Sequence, residues 1–312
     1  TQEQNNDNSY GAMSMAIMTL EVFAGMWINA FIVSVLCISW VKKKTLNSNE
    51  KILLLLGCSR FCYLCISWVY FFLSIIYPNY LYVHPIIQLV VSIQNLLNDF
   101  SLLVSSCLCV FYCIKVANFR NRFFIYLKVK IDWIVPWLLL GSVLFSLVIG
   151  ILIYDATDKS LCKNLNFTCQ GCIWKPSIRR EEHFLPIFFI SGFVFVTSFT
   201  ADIFSALLLL FSLWRHKLNM QTNSMKDLSV DAHIRAMRSI LSFLVMYSIN
   251  FISLILTLIY SMMDQNHVLA LLSLFLHVFP VAHSFVLIFS NPKLEKMMLR
   301  FLPCVKCKVC MR

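Results

Sequence analysis

The residues of this chain that could do chemistry are mostly cysteines set in apolar sequence. In the stretch CLCVFYCIKVANFR (107–120), Cys107, Cys109 and Cys113 lie in an apolar run that stops at Lys115. A metal site, a redox site and a membrane helix that reaches its charged rim all fit this pattern. Buried cysteine also packs as a small hydrophobic side chain, so the surrounding sequence has to decide.

Two further cysteine groups have spacings that permit ligation. The tail reads CVKCKVC (304–310), which has the C-x₂-C spacing of iron–sulfur ligands but lacks a fourth cysteine. Palmitoylation beside a membrane is the better interpretation. A polar segment upstream contains C-x₂-C and a histidine, which permits zinc, although one disulfide is favoured in an oxidising compartment. Its residues are Cys162, Cys169, Cys172 and His183.

The histidines in apolar sequence do not form a catalytic set. An intramembrane enzyme would need paired aspartates, a Ser/His pair or a histidine zinc set. His277 and His283 lie six residues apart, so they do not share a helix face. His283 and Ser284 are adjacent and are expected to point apart. We therefore predict no enzyme activity, no metal and no cofactor.

The composition indicates an integral membrane protein. Of 312 residues, 59% are hydrophobic and 13% charged, and the mean hydropathy is +0.76, whereas soluble domains are about 25% charged. The scarcity of glycine, 7 residues, argues against a β-barrel. A net charge of +11 suits nucleic acid in some proteins. Here the basic residues lie in short gaps between apolar runs, so no nucleic-acid partner is predicted.

Seven apolar stretches are long enough to cross a bilayer, because about 20 helical residues span about 30 Å. They run roughly over 15–41, 52–77, 85–116, 133–154, 184–214, 240–263 and 268–290. The predicted fold class is an all-α bundle of seven transmembrane helices over 15–290. A segment at 1–14 precedes the bundle and a short tail at 291–312 follows it.

The distribution of charge predicts the orientation. Of the 26 lysines and arginines, 20 lie in four segments on one side of the bundle, and the positive-inside rule places that side in the cytoplasm. The segments are 42–51, 115–132, 215–238 and 292–312. The N-terminus is then outside, the C-terminus inside, and the protein is a multi-pass protein of the plasma membrane. The loop 155–183 is outside, and its Asn166 lies in the chain's only Asn-x-Ser/Thr sequence, which predicts glycosylation.

Charged residues inside a span are costly, so they pair within the bundle or mark a site. Asn29 of the first span and Arg60 of the second lie at similar depth. We predict that Arg60 is held by Asn29, by backbone carbonyls and by a polar residue of the seventh span. Such a cluster either fixes the helices or forms a hinge that rearranges on activation. The four charged residues within spans are Glu21, Arg60, Asp99 and Asp202.

A second polar group lies in the outer half of the third span. Helical spacing places Gln88, Asn95 and Asp99 on one face, and Gln94 and Asn98 together on another. A group of this size predicts a wet cavity that opens to the outside.

Five segments, taken in order along the chain, resemble the bitter taste receptors, a family of seven-span G-protein-coupled receptors. They are LGCSRFC (56–62), CLCVFYCIKVANF (107–119), LFSLWRHKLNM (210–220), AHIRAMRSILSFLVMY (232–247) and FPVAHSFVLIFSNPKLEK (279–296). The resemblance covers nearly the whole chain, and the match of several segments in register makes chance improbable. It implies that small bitter compounds bind in the outer cavity.

The resemblance also assigns residues to two sites. The ligand would contact Asn98, Gln94, Phe71, Tyr247 and Ser273. This chain has Gln94 and Asp99 where the family often has tryptophan and histidine. The carboxylate of Asp99 in a low-dielectric pocket would favour cationic amines.

The second implied site binds a heterotrimeric G protein of the gustducin or Gi type, through a groove at the cytoplasmic helix ends. The expected contacts are Tyr112, Lys115, Asn118, His216, Arg235 and Lys293. The basic face also suits anionic membrane lipids. The alternative function is a membrane transporter or channel for small molecules, but the sequence shows no inverted repeat, broken helix pair or filter motif.

Overall fold

The computed structural model describes residues 2–81, 83–117, 121–163, 185–220, 266–301 and 241–259, the last without 243, 254 and 258. Nearly all of these residues are helical, which confirms the all-α class. The helices are α1 (Gln2–Lys43), α2 (Ser48–Ile76), α3 (Pro78–Leu81), α4 (Ile86–Val116), α5 (Arg122–Lys163), α6 (Leu185–Met220), α7 (Leu244–Thr257), α8 (Asn266–Ser290) and α9 (Pro292–Phe301).

Six of the predicted spans overlap one of the longer helices, and the sixth in order, 240–263, overlaps the shorter α7. The helices α1, α2, α4, α5 and α6 each contain an apolar segment long enough to cross a bilayer. The helix α8 meets the same criterion when it is taken together with α9, and α7 is a shorter apolar helix within the described residues. The described part of the chain thus contains five or six membrane-spanning helices by length and composition, in agreement with a transmembrane helix bundle.

The helices extend beyond the apolar stretches that predicted them. The helix α1 begins at Gln2, well before residue 15, and α5 continues past both 133 and 154. Hydropathy reports where a chain can lie in lipid, whereas a helix continues until a cap or a breaker supplies other partners for its backbone groups. The polar segments before the first span and after the fourth are therefore partly helical.

Asparagine caps fix two of the helix starts. Asn47 and Glu50 form a capping box at the start of α2, where the backbone N–H of Asn47 donates to the Glu50 carboxylate at 3.2 Å. Asn291 accepts hydrogen bonds from the backbone amides of Lys293 at 3.0 Å and Leu294 at 3.4 Å, so it caps α9. The chain bends by 98° between α8 and α9 at this point.

The helix α4 lies at the centre of the bundle, packed against α2, α5 and α6, while α1 packs against α2 and α8. Close helix contacts depend on small residues. A Cβ on Gly25 would lie 2.6 Å from a Val281 methyl and 2.7 Å from a Leu64 methyl, so α1, α2 and α8 meet at this glycine. One buried apolar core joins side chains from α1, α2, α4 to α6, α7, α8 and α9.

Candidate functional site

A buried arginine lies at the centre of the bundle. Arg60 of α2 is 1% exposed. Its guanidinium donates to the hydroxyls of Ser105 at 3.0 Å, Ser101 at 3.1 Å and Ser284 at 3.1 Å. It also contacts the ring nitrogen Nδ1 of His283. A single side chain on α2 therefore binds α4 through two hydroxyls and α8 through two side chains. These five residues are called the arginine centre below.

Asn29 joins the arginine centre indirectly. The Ser284 hydroxyl approaches Asn29 Oδ1 at 2.9 Å and the Pro280 carbonyl at 2.7 Å, while the Asn29 amide donates to the Gly25 carbonyl at 2.8 Å. The predicted polar partner from the seventh span is present. The predicted direct bond between Asn29 and Arg60 is replaced by a bridge through Ser284, and serine hydroxyls take the place of backbone carbonyls.

His283 and Ser284 do not point apart as the sequence suggested. Both reach Arg60, because the planar guanidinium has donors along a wide fork and can meet two neighbouring positions of one helix. The sequence signal for this site was the pair of serines four residues apart in α4, together with the His-Ser pair in α8. Hydropathy does not reveal it, since serine is common in buried helices.

Three acidic side chains, those of Glu21, Asp99 and Asp202, also lie within the predicted spans. Among the described residues none of them forms an ion pair, and the polar neighbours are the Asn98 side chain for Asp99 and the Cys109 and Ser106 side chains for Asp202. Asp99 is 0% exposed and Asp202 is 1% exposed. Within the described ranges, no carboxylate pairs with Arg60.

Three predicted ligand residues lie along the interface of α2 and α4. The Gln94 amide donates to the Ser67 hydroxyl at 3.1 Å, and Phe71 packs at the edge of a cluster that includes Leu97. Asn98 is half-buried and lies beside Asp99. The structure thus brings Gln94, Phe71, Asn98 and Asp99 to one region of the bundle, called the Gln94 region below.

Tyr247 lies deeper than these residues. It is fully buried, with its ring against Phe195, Phe279 and His283, and its hydroxyl approaches the Leu102 carbonyl at 3.5 Å. Residue 102 follows residue 94 by eight positions in α4, a rise of about 12 Å. Tyr247 is thus a neighbour of the arginine centre, and it lies deeper in the bundle than Gln94 by about this distance along α4. The backbone of Ser273 lies in α8, but its side chain is outside the described residues.

The predicted G-protein contacts that the structure describes all have intramolecular partners. Lys293 of α9 contacts Glu50 in an ion pair and also the Ser39 hydroxyl, so it joins α9 to α1 and α2. The capping carboxylate Glu50 is only 7% exposed. A buried acid at the start of α2 is thereby neutralised by a cation from the other end of the chain.

Two further contacts join helices at the same end of the bundle. The Tyr112 hydroxyl donates to Asn49 Oδ1 at 3.2 Å, which connects α4 to α2. Lys115 forms an ion pair with Asp132 at 2.7 Å, which connects α4 to α5. This end, which carries Lys115 and Lys293, is called the basic end below. The remaining predicted residues lie outside the described part, namely Asn118, Arg235, Asn166 and the side chain of His216.

The comparisons with known proteins agree with the helical fold. A profile of the family described as "Taste receptor protein (TAS2R)" matches residues 8–306. The chain is 30% identical to taste receptor type 2 member 7 of Macaca mulatta, over 90% of each protein. It is 31% identical to taste receptor type 2 member 9 of Homo sapiens, over 95% of each protein.

These relatives are receptors, which supports the receptor prediction over a transporter, a channel or an intramembrane enzyme. The relation extends over nearly the whole of each chain, so it includes both the arginine centre and the basic end. With its apolar helices and its match to this family, the chain belongs to the taste receptor type 2 family, the bitter taste receptors among the multi-pass G-protein-coupled receptors.

Proposed function

We propose that this receptor binds small bitter compounds beside Asp99, between the Gln94 region and the arginine centre, and that it favours agonists with a protonated amine. The observation that carries the proposal is the buried carboxylate of Asp99, which is 0% exposed and has no cationic partner among the described residues. A carboxylate held away from water is stabilised by a cation that brings its own hydrogen-bond donors.

The neighbours of Asp99 suit such a ligand. Tyr63 lies close enough to interact with it electrostatically and stacks on His277 with ring centroids 5.8 Å apart. Phe71 and Trp68 supply apolar and aromatic surface nearby. A few polar groups among apolar and aromatic walls are typical of small-molecule sites.

Signalling follows from a shift between two arrangements of the helices. An agonist moves this equilibrium only as far as it binds one arrangement better than the other. The arginine centre connects α2, α4 and α8, so a ligand between α2 and α4 can alter contacts that extend to α8. A rearrangement of these hydrogen bonds is the proposed link between ligand and helix movement.

At the basic end, the contacts of Tyr112, Lys115 and Lys293 hold α1, α2, α4, α5 and α9 together. The proposed partner is a heterotrimeric G protein of the gustducin or Gi type. The end helix of its α subunit would enter between these helices and compete for the same lysines. This assignment requires the basic end to face the cytoplasm, as the charge distribution predicts, with the loop 155–183 outside and the loop 215–238 inside.

The coupling is tested in cells that express the full chain with a gustducin-type or a Gi-type α subunit. We expect bitter compounds from a screening panel to raise calcium through a gustducin-type chimera or to lower cAMP through Gi. A panel that gives no response with either subunit, while surface labelling shows the receptor, would contradict the coupling.

The ligand preference is tested with Asp99→Asn. Loss of the charge should weaken amine agonists about tenfold or more, because a hydrogen-bonded ion pair is lost, and should leave neutral agonists nearly unchanged. Asp202→Asn is the matched control, since it removes another buried carboxylate that forms no ion pair among the described residues. Equal potencies of amine agonists on wild type and Asp99→Asn would refute the preference but leave the coupling proposal standing.

A further inference from the structure

Three polar side chains meet at the end of the bundle opposite the basic end. His84 precedes α4, Gln88 lies in its first turn, and Asp158 lies near the end of α5. The His84 Nε2 and Asp158 Oδ1 atoms are 3.3 Å apart. The Gln88 Nε2 atom lies 3.2 Å from the same carboxylate oxygen. The sequence placed Gln88 on the face of the predicted outer cavity but did not join it to His84 or Asp158, and the proposed ligand site does not use the three together.

In this arrangement only the nitrogen of the Gln88 side-chain amide has a hydrogen-bond partner among the described residues. Gln88 is 0% exposed, and its Oε1 has no hydrogen-bond partner among the described residues. A buried amide oxygen without a partner costs free energy. Rotation of the amide by half a turn would exchange its nitrogen and oxygen and place the oxygen beside Asp158 at about the same separation.

The separations match those of ligands around one metal ion. Zinc binds imidazole nitrogen and carboxylate oxygen at about 2.0–2.2 Å in tetrahedral geometry, and two such ligands are then about 3.3–3.6 Å apart. The observed 3.3 Å between His84 and Asp158, and 3.2 Å between Gln88 and Asp158, are close to this spacing. We propose that His84, Asp158 and the Gln88 amide oxygen form a binding site for a divalent transition-metal ion of the zinc type.

Access and charge both favour such an ion. The side chains of His84 and Asp158 are each 34% exposed, so an ion can reach them from solvent while Gln88 closes the buried side. The nearby cation Lys159 pairs with Asp155 at 2.6 Å instead of with Asp158. Water would complete the coordination, as it does in zinc sites that have three protein ligands.

Bound metal would fasten the start of α4 to the end of α5. These two helices already meet at this end, where the Ser92 hydroxyl donates to the Gly150 carbonyl at 2.5 Å. Because α4 also carries Gln94, Asp99 and the serines of the arginine centre, the metal would act on the helix that forms most of the proposed ligand region. The site itself requires neither an agonist nor a G protein.

The test uses the purified full-length receptor in detergent, with the affinity tag removed and metals stripped by a chelator. Zinc is added at constant pH, and bound zinc and the midpoint of thermal unfolding are both measured. Saturable binding and a rise of the midpoint are expected for the wild type. His84→Gln keeps a hydrogen-bond donor toward Asp158 but loses the imidazole, so zinc affinity should fall at least tenfold.

Asp155→Asn is the control, because it removes a carboxylate of the same helix that is outside the group, and it should bind zinc like the wild type. If His84→Gln is not recovered folded, Gln88→Asn provides the same comparison, since the shorter side chain withdraws the amide oxygen. The proposal is overturned if zinc leaves the wild-type midpoint unchanged, or if the folded variant binds zinc as tightly as the wild type does.

Discussion

Arg60 has a positive charge inside the bundle, and hydroxyl groups satisfy it instead of a carboxylate. Each serine hydroxyl is a weaker partner than an ionised acid, but four contacts from two other helices surround the one guanidinium. These contacts depend on the planar guanidinium, whose donors point in several directions at once. Lysine, a point charge on a flexible chain, could not replace it.

The contribution of one such partner is testable with Ser105→Ala. The Ser105 hydroxyl accepts from Arg60 and donates to the Ser101 carbonyl, so its removal leaves a buried charged donor unsatisfied. We expect a loss of about 1–3 kcal/mol of stability, measured as a lower thermal unfolding midpoint of the purified receptor.

Ser253→Ala is the matched control for this change. Ser253 is also buried, but its hydroxyl donates to the Ile249 carbonyl of its own helix and has no other hydrogen bond to a described residue. Its replacement should have a much smaller effect. Equal midpoints for the two variants would show that the arginine centre does not depend on its α4 hydroxyls.

Among the helices, the contact of α1 with α2 and α8 depends on the absence of a side chain at Gly25. In Gly25→Ala, the new methyl group would lie 2.6 Å from Val281 and 2.7 Å from Leu64, so these helices must separate or repack. Overpacking costs about 1–3 kcal/mol, and Asn29 follows one turn later, so the Ser284 bridge should weaken too. A lower unfolding midpoint and reduced surface expression are expected.

Gly141→Ala separates this packing effect from helix propensity. A Cβ at Gly141 would meet no other described part of the chain within 4 Å, apart from the backbone of its own helix, and alanine is favoured over glycine in a helix by about 1 kcal/mol. This variant should be neutral or more stable than the wild type. If Gly25→Ala were equally stable, the close approach of the three helices would be wrong.

For the whole molecule, the distribution of lysine and arginine predicts that the basic end faces the cytoplasm and that Asn166 faces outside. Glycosylation then adds mass that a glycosidase removes, and Asn166→Gln should abolish this shift on a gel. Asn164→Gln is the control, because Asn164 is a near neighbour outside the Asn-x-Ser/Thr sequence. Absence of the shift in wild type, together with a C-terminal tag that antibodies reach on intact cells, would reverse the orientation.

The sequence was informative about the fold wherever one physical property dominates. Apolar runs of sufficient length predicted the positions of the helices, because lipid requires every backbone group to be bonded within its own segment. The runs did not predict where helices end. The start of α1 at Gln2 and the end of α5 at Lys163 depend on local backbone hydrogen bonding, to which hydropathy is insensitive.

Single side chains were predicted less completely. The sequence predicted a partner for Arg60 from the seventh span but not Ser101 and Ser105 of α4. The sequence pattern does not distinguish a serine that binds Arg60 from any other serine in an apolar helix. The depth of Tyr247 and the partners of Lys293 also depend on which helices lie side by side. The group of His84, Gln88 and Asp158 joins residues that are about 70 positions apart.

The amino-acid sequence by itself determined that this chain is an all-α membrane protein and indicated its receptor family. These properties follow from the composition and from short segments that can be compared in order. Only the tertiary structure decided which polar groups meet, since that depends on the rotation and depth of each helix within the bundle. Small residues such as Gly25 set the rotation and depth of a helix through packing, and the resulting contacts join residues that are far apart in the sequence.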